Sequence, residues 1–212
     1  MLSSDASSYG QPGMRRSVGM VVYGCAWSVS IEAGAGYHIN VEEVFAFFLT
    51  ALVAISLHED TPRPLHLPFA VDSTVAAAWA GHTLSDDPNV GRWMRTLHRV
   101  LASKRVQVSV HWVPREQNFL ADAPSKGDEA SYWAGLSRFR AEFGVDPASG
   151  SPVDLASSFV RVGAAAYTAV LGRLREASPN ILAPSVAGVT ALLSDLRLAW
   201  CTSHALTRGA RV

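Results

Sequence analysis

Two aspartates stand where α/β proteins commonly place ligand-binding groups. Asp72 ends a strand-like stretch, residues 65–72, and Ser73 opens the Ala-rich run that reads as a helix. Asp122 follows the alternating stretch 106–110. Pro114 stops any β-ladder after that stretch, and Asn118 is of the type that starts helices. A carboxylate at such a junction is well placed to face a site. Plainer roles are equally open: Asp72 or Ser73 can cap a helix, and Asp122 can complement a helix dipole. Two further acids share this ambiguity. Glu43 lies three residues after Asn40, the spacing of a capping box, with Glu42 beside it as a competitor. Asp5 is so close to the first residue that a place in a terminal tail is its plain reading.

The elements that would position these acids follow from composition and periodicity. The chain has 212 residues, 49% hydrophobic and 17% charged, enough for one sizeable domain and an appendix. Residues 1 to about 36 read as strands, β-branched and aromatic, with turns at Gly10–Gly13 and Gly34–Gly36. Residues 38–55 read as a helix apolar on most sides and therefore buried. Residues 65–72 form a strand and 73 onward a helix. A third helix, 88–103, starts with a proline in its first turn and carries Arg92, Arg95 and Arg99, followed by Lys104. That basic side is either a solvated face or a contact for phosphates. Strand 106–110 and a helix from Asn118 complete residues 1–127, taken as one domain. Residues 128–143 read as a packing helix bearing Tyr132, Trp133, Leu136, Phe139 and Phe143. The remainder, 144–212, reads as a linker and a mostly helical extension of unknown role, with helices expected over 159–176 and 184–200.

Charge and cysteine content narrow the function classes. The formal net charge is +0, unlike that of most dedicated nucleic-acid binders, although a local basic groove is compatible with it. Cys25 and Cys201 are far apart in sequence and give neither a disulfide framework nor a metal-like pair. No run of about 18 apolar residues is apparent, so no membrane span is expected. The first residues lack the layout of a signal peptide. The expected location is intracellular, in cytoplasm or nucleus.

Residues 113–126 carry the most specific pattern: Val113-Pro114-Arg115, Asn118, Ala121-Asp122 and Ser125-Lys126. This run resembles the last motif of the ribonuclease H domain in retroelement reverse transcriptases, V-P-R/G-x-x-N-x-x-A-D-x-L-S-R/K. Pro124 replaces its usual leucine, and Trp112 falls where many relatives keep a histidine. Three earlier stretches are similar to the other motifs of that family. Asp5-Ala6-Ser7 resembles the D-A-S that ends its first strand, Ile39-Asn40 with Glu43 its I-N-x-x-E, and Asp72-Ser73 with Ala76 its D-N/S-x-x-A. Residues 151–158 resemble a segment that follows ribonuclease H in DIRS-type, tyrosine-recombinase retroelements.

The resemblance implies an α/β, ribonuclease H-like mixed five-stranded sheet flanked by helices, with the first and fourth strands adjacent and the first helix lying across the sheet. It implies that Asp5, Glu43, Asp72 and Asp122 are catalytic and bind two Mg²⁺ ions, with Mn²⁺ as a substitute. It also implies nucleic-acid contacts from Asn40, Ser73, Arg115 and Asn118. Four like charges in one pocket repel one another unless cations bind, and paired Mg²⁺ ions suit in-line phosphoryl chemistry. The implied reaction is endonucleolytic hydrolysis of the RNA strand of an RNA/DNA hybrid, and the implied partner is a reverse transcriptase polymerase domain. No Y-x-D-D polymerase run is present. A rival reading is a decayed, non-catalytic module of the same fold that binds nucleic acid or scaffolds a polymerase. With Trp112 in the histidine's place, slower turnover is expected. A Trp112→His substitution should then raise the cleavage rate, and an unchanged rate would count against the assignment.

Overall fold

The computed structural model describes residues 1–7, 16–31, 37–58, 64–80, 86–149, 151 and 157–163. Its strands are β1 (Leu2–Ser7), β2 (Arg16–Val22), β3 (Cys25–Ile31), β4 (Leu65–Val71), β5 (Val106–Trp112) and β6 (Ser158–Val162). They form one mixed sheet in the order β5-β4-β1-β2-β3-β6. The pairs β1–β2 and β2–β3 are antiparallel, whereas β1–β4, β4–β5 and β3–β6 are parallel. The β2–β3 hairpin turns on Tyr23-Gly24, with φ of 49° and 75°. Two consecutive positive φ angles suit the right-handed twist of a tight hairpin, and the turn pins Val22 opposite Cys25.

Helix α1 (Ile39–Leu57) lies across β1 and β2 and is buried along nearly its whole length. Together with α3 (Pro88–Lys104) it packs Phe45, Phe48, Trp93 and Leu97 against one face of the sheet. Helix α2 (Thr74–Ala80) follows β4 directly. On the opposite face, α4 (Phe119–Ser125) and α5 (Glu129–Phe143) bury Leu120, Tyr132 and Leu136 over Val21 and Ala26. Alternation along β2 explains the two cores: Val18, Met20 and Val22 point to α1, and Val21 points to α4.

The α/β class, the flanking helices and the β1–β4 adjacency are as the motifs imply, with three differences. A sixth strand joins the sheet: residues 158–162, read from their Ala-rich surroundings as the start of a helix, pair with β3, with Val160 and Val162 on one face and Phe159 on the other. The helices expected further on, over 164–176 and 184–200, lie outside the described residues. Asn40 does not cap α1: the cap is His38, whose Nδ1 accepts the Asn40 amide N–H at 3.4 Å. Asp5 is in the first strand, as the D-A-S motif implies, and not in the tail that its closeness to the first residue suggested: β1 is buried at every position between β4 and β2. Finally, α1 does have the length and apolarity of a membrane span, contrary to expectation, yet 83% of that window is buried inside this fold.

One close approach fixes where α4 sits. A Cβ on Gly19 would lie 2.4 Å from both the Ala121 carbonyl oxygen and the Ser125 amide nitrogen. Both are backbone atoms and neither can rotate away. Gly19 is also the β2 partner of Asp5, so its missing side chain lets α4 reach the acid on the neighbouring strand. Gly19→Ala should cost at least ~2 kcal/mol by forced backbone displacement. Urea denaturation would check this, and a wild-type midpoint would refute the contact.

Candidate active site

The acids converge because of where their elements end. Asp5 lies on the α4 side of β1, and its Oδ2 is 2.7 Å from Ser125 Oγ. The same hydroxyl lies 2.8 Å from the Asp122 carbonyl oxygen, so its single proton serves two acceptors. Asp72 follows the last residue of β4, and its Oδ1 accepts from Asn118 Nδ2 at 2.9 Å. Its carbonyl oxygen accepts from the Trp112 indole at 3.0 Å. Glu43, in the second turn of α1, is hydrogen-bonded to the Ser73 side chain. Ser73 also accepts the Ala76 amide N–H at 3.0 Å, capping α2. Asp5, Glu43 and Asp72, with Arg115 and Lys126, line one cavity of about 280 Å³.

Glu42 is settled by its surroundings. It is fully buried, and Arg16 Nη1 lies 3.3 Å from its Oε1. It pairs with β2 and does not line the cavity, whereas Glu43 does. Because His38 caps α1, the Glu43 carboxylate is also released from the capping-box role.

Asp122 is in the first turn of α4 and is held differently from the other three. Arg115 Nη2 donates to its Oδ1 at 3.1 Å, and Lys126 Nζ donates to its Oδ2. Exposed ion pairs of this kind contribute ~1 kcal/mol or less. Among the described residues, no three His, Cys, Asp or Glu side chains close tightly enough to enclose an ion. The carboxylates instead turn toward Ser125, Asn118, Ser73 and the two cations.

The electrostatics favour a cation nonetheless. Burial pushes the Asp5 carboxyl up to about 7, Asp72 adds to the rise, and Ser125 opposes it. Burial likewise raises Glu43 above the usual carboxylate range, against its bond to Ser73, with Asp72 adding to the rise. Hard oxygens crowded where their own charge is disfavoured are a chemically suitable donor set for Mg²⁺ or Mn²⁺.

The four residues expected to touch nucleic acid divide in two. Arg115 is exposed at the rim, and Asn40 is half-buried in the first turn of α1. Ser73 and Asn118 are buried, and their polar atoms are turned inward. Asn118 Nδ2 donates to the Ser4 carbonyl oxygen at 3.1 Å as well as to Asp72, so it ties α4 to β1 and β4 instead of facing solvent. Reading the sequence missed the structural parts of Ser125 and Gly19. The Ser-Lys offset in the last motif pointed to the first, and a lone glycine inside a strand pattern signals the second.

No family model matches the chain, and no curated protein matches it. Among solved structures, RNase H1 from the halophilic archaeon Halobacterium salinarum is 20% identical, with 57% of this chain and 90% of that one covered at a TM-score of 0.43. LC11-RNase H1, solved in complex with an RNA/DNA hybrid, is 18% identical, with 57% and 89% covered at 0.46. The N-terminal RNase H domain of rv2228c from Mycobacterium tuberculosis is 17% identical, with 64% and 99% covered at 0.43.

Since burial raises the folded-state pKa of Asp5 above the ordinary value of an aspartate, its ionisation opposes folding. The penalty is absent below about pH 4, grows as pH rises toward 7, and is complete above it. In EDTA, Asp5→Asn should therefore stabilise the protein at pH 8 by ~2 kcal/mol or more and leave it unchanged near pH 4. Urea titrations at both pH values test this, and equal stability of the two proteins at pH 8 would refute it.

Proposed function

We propose that this chain is a ribonuclease H-type nuclease that hydrolyses the RNA strand of RNA/DNA hybrids, within a DIRS-type retroelement reverse transcriptase. The observation that carries the reading is the meeting of Asp5, Glu43 and Asp72 in one cavity from β1, α1 and the end of β4. These are three of the four acids that the retroelement motifs assign as ligands, brought together from distant parts of the chain; Asp122, the fourth, is held by two residues of the cavity wall, Arg115 and Lys126.

Asp5, Glu43 and Asp72 would hold the divalent cations, with Asp122 as the fourth ligand. When bound, two such ions activate a water and stabilise the leaving oxygen of an in-line displacement. The chain's own residues fix the acids. Asn118 orients Asp72, Ser125 orients Asp5 and Ser73 orients Glu43. Arg115 at the rim receives a backbone phosphate, the commonest contact of a guanidinium with nucleic acid. RNA is selected through its 2′-hydroxyls across the wide minor groove of the hybrid, with Asn40 beside the cavity as the contact. The reading includes a polymerase domain as partner and an intracellular location.

A second reading, a non-catalytic module of the same fold, draws on two observations. Asp122 is neutralised by Arg115 and Lys126, and Trp112 occupies the histidine position. Cleavage separates the two readings. With a labelled hybrid and Mg²⁺ or Mn²⁺, cutting of the RNA strand alone is expected, leaving 5′-phosphate and 3′-hydroxyl ends. Asp72→Asn should lower the rate by at least ~100-fold. A folded wild type that leaves the hybrid intact at high enzyme concentration would favour the scaffold reading.

A further inference from the structure

The fourth acid presents a puzzle that the ribonuclease reading leaves open. Asp122 is assigned to the metal set, yet its two carboxylate oxygens are occupied by different cations. Arg115 Nη2 holds Oδ1 at 3.1 Å, and Lys126 Nζ holds Oδ2. The side chains of Arg115 and Lys126 are 68% and 32% exposed. Both cations line the cavity that also holds Asp5, Glu43 and Asp72. An incoming phosphodiester therefore meets these two groups at the mouth of the site, close to the acids it must approach.

We propose that Arg115 and Lys126 form a phosphate-released clamp on Asp122, holding it until a nucleic-acid phosphate takes both cations and frees the carboxylate for a divalent ion. The inference rests on the ribonuclease reading for its phosphate source. Three physical points carry it. The ion pairs are open to water and therefore weak and exchangeable. A phosphodiester competes well, because guanidinium binds phosphate oxygens through two parallel hydrogen bonds. The exchange also keeps Asp122 compensated: its two single cations move to the phosphate, and the divalent ion restores the same positive charge beside the carboxylate. Metal and hybrid would then bind cooperatively, each strengthening the other by the same factor. The free protein would be kept from assembling a complete metal site without its substrate.

The test measures Mn²⁺ binding calorimetrically, with and without a hybrid made resistant to cleavage. The proteins are wild type, the double variant Arg115→Met/Lys126→Met, and both in an Asp122→Asn background. Hybrid should tighten Mn²⁺ binding to wild type about tenfold. Without hybrid, the double variant should bind Mn²⁺ about tenfold more tightly than wild type, and adding hybrid should tighten it clearly less than it tightens wild type, leaving only the direct contact of phosphate with the ion. In the Asp122→Asn background that gain should vanish, because it acts through Asp122. A gain that survives Asp122→Asn is a general charge effect and overturns the clamp. Equal Mn²⁺ affinity of wild type and double variant without hybrid overturns it, as does a hybrid effect as large in the double variant as in wild type. A wild type that binds no hybrid overturns release by phosphate. One that shows the full coupling but does not cleave RNA leaves the clamp standing and sinks the ribonuclease reading alone. Circular-dichroism melts confirm that each variant is folded.

Discussion

Carboxylates that approach one another in a half-buried cavity repel, and much of this fold can be understood as the means of holding them there. Asp5 suffers most because it sits on a central strand and is almost wholly buried at the wall of the cavity. The restraint comes mainly from α4. Its preceding residue Asn118 grips both Ser4 and Asp72, and its last residue Ser125 grips Asp5. A seven-residue helix has little intrinsic stability. Its position is secured by packing over β2 at Gly19 and by Leu120 in the second core. The stable half of the protein, with α1 and α3 over the sheet, thus provides a rigid base on which a small, polar-bonded helix completes the site.

This division also explains why the buried polar groups are where they are. Asn118 and Ser125 are essentially inaccessible to water, and each spends its donors on groups of the site. Replacing one of them removes a hydrogen bond and leaves a buried carboxylate or carbonyl oxygen short of a partner, the costlier kind of loss. Among the described residues Asn118 Oδ1 has no hydrogen-bond partner, so the region has few spare donors.

The class of fold and the junctions bearing Asp72 and Asp122 were legible because they depend on local chemistry: alternation in a strand, a proline that stops it, and a residue that starts a helix. Periodicity is a local property, and it marked α1, α3, β4 and β5 well. What was not legible depends on distance. Ser158–Val162 becomes a strand because β3 offers it an edge, which nothing in the neighbouring Ala-rich sequence announces. The cap of α1 is His38 and not Asn40, because the helix already starts at Ile39 and the His38 side chain takes the Asn40 amide N–H. Ser73 and Asn118 were expected to face a ligand, but tertiary packing turned both inward, where they orient acids instead. Glu42 and Glu43 are adjacent and chemically equivalent in sequence. Their tertiary partners tell them apart: Arg16 on β2 takes Glu42, and Ser73 at the cavity takes Glu43.

The most direct measurement is a crystal structure of the protein soaked in Mn²⁺, with anomalous scattering used to locate the ion. If the acids are held together to bind a divalent cation, a Mn²⁺ peak is expected within about 2.5 Å of carboxylate oxygens of Asp5 and Asp72. It should be lost in Asp5→Asn. A cavity without a peak at millimolar Mn²⁺, or a peak bound elsewhere on the surface, would contradict the assignment and leave the convergence of these acids without a chemical purpose.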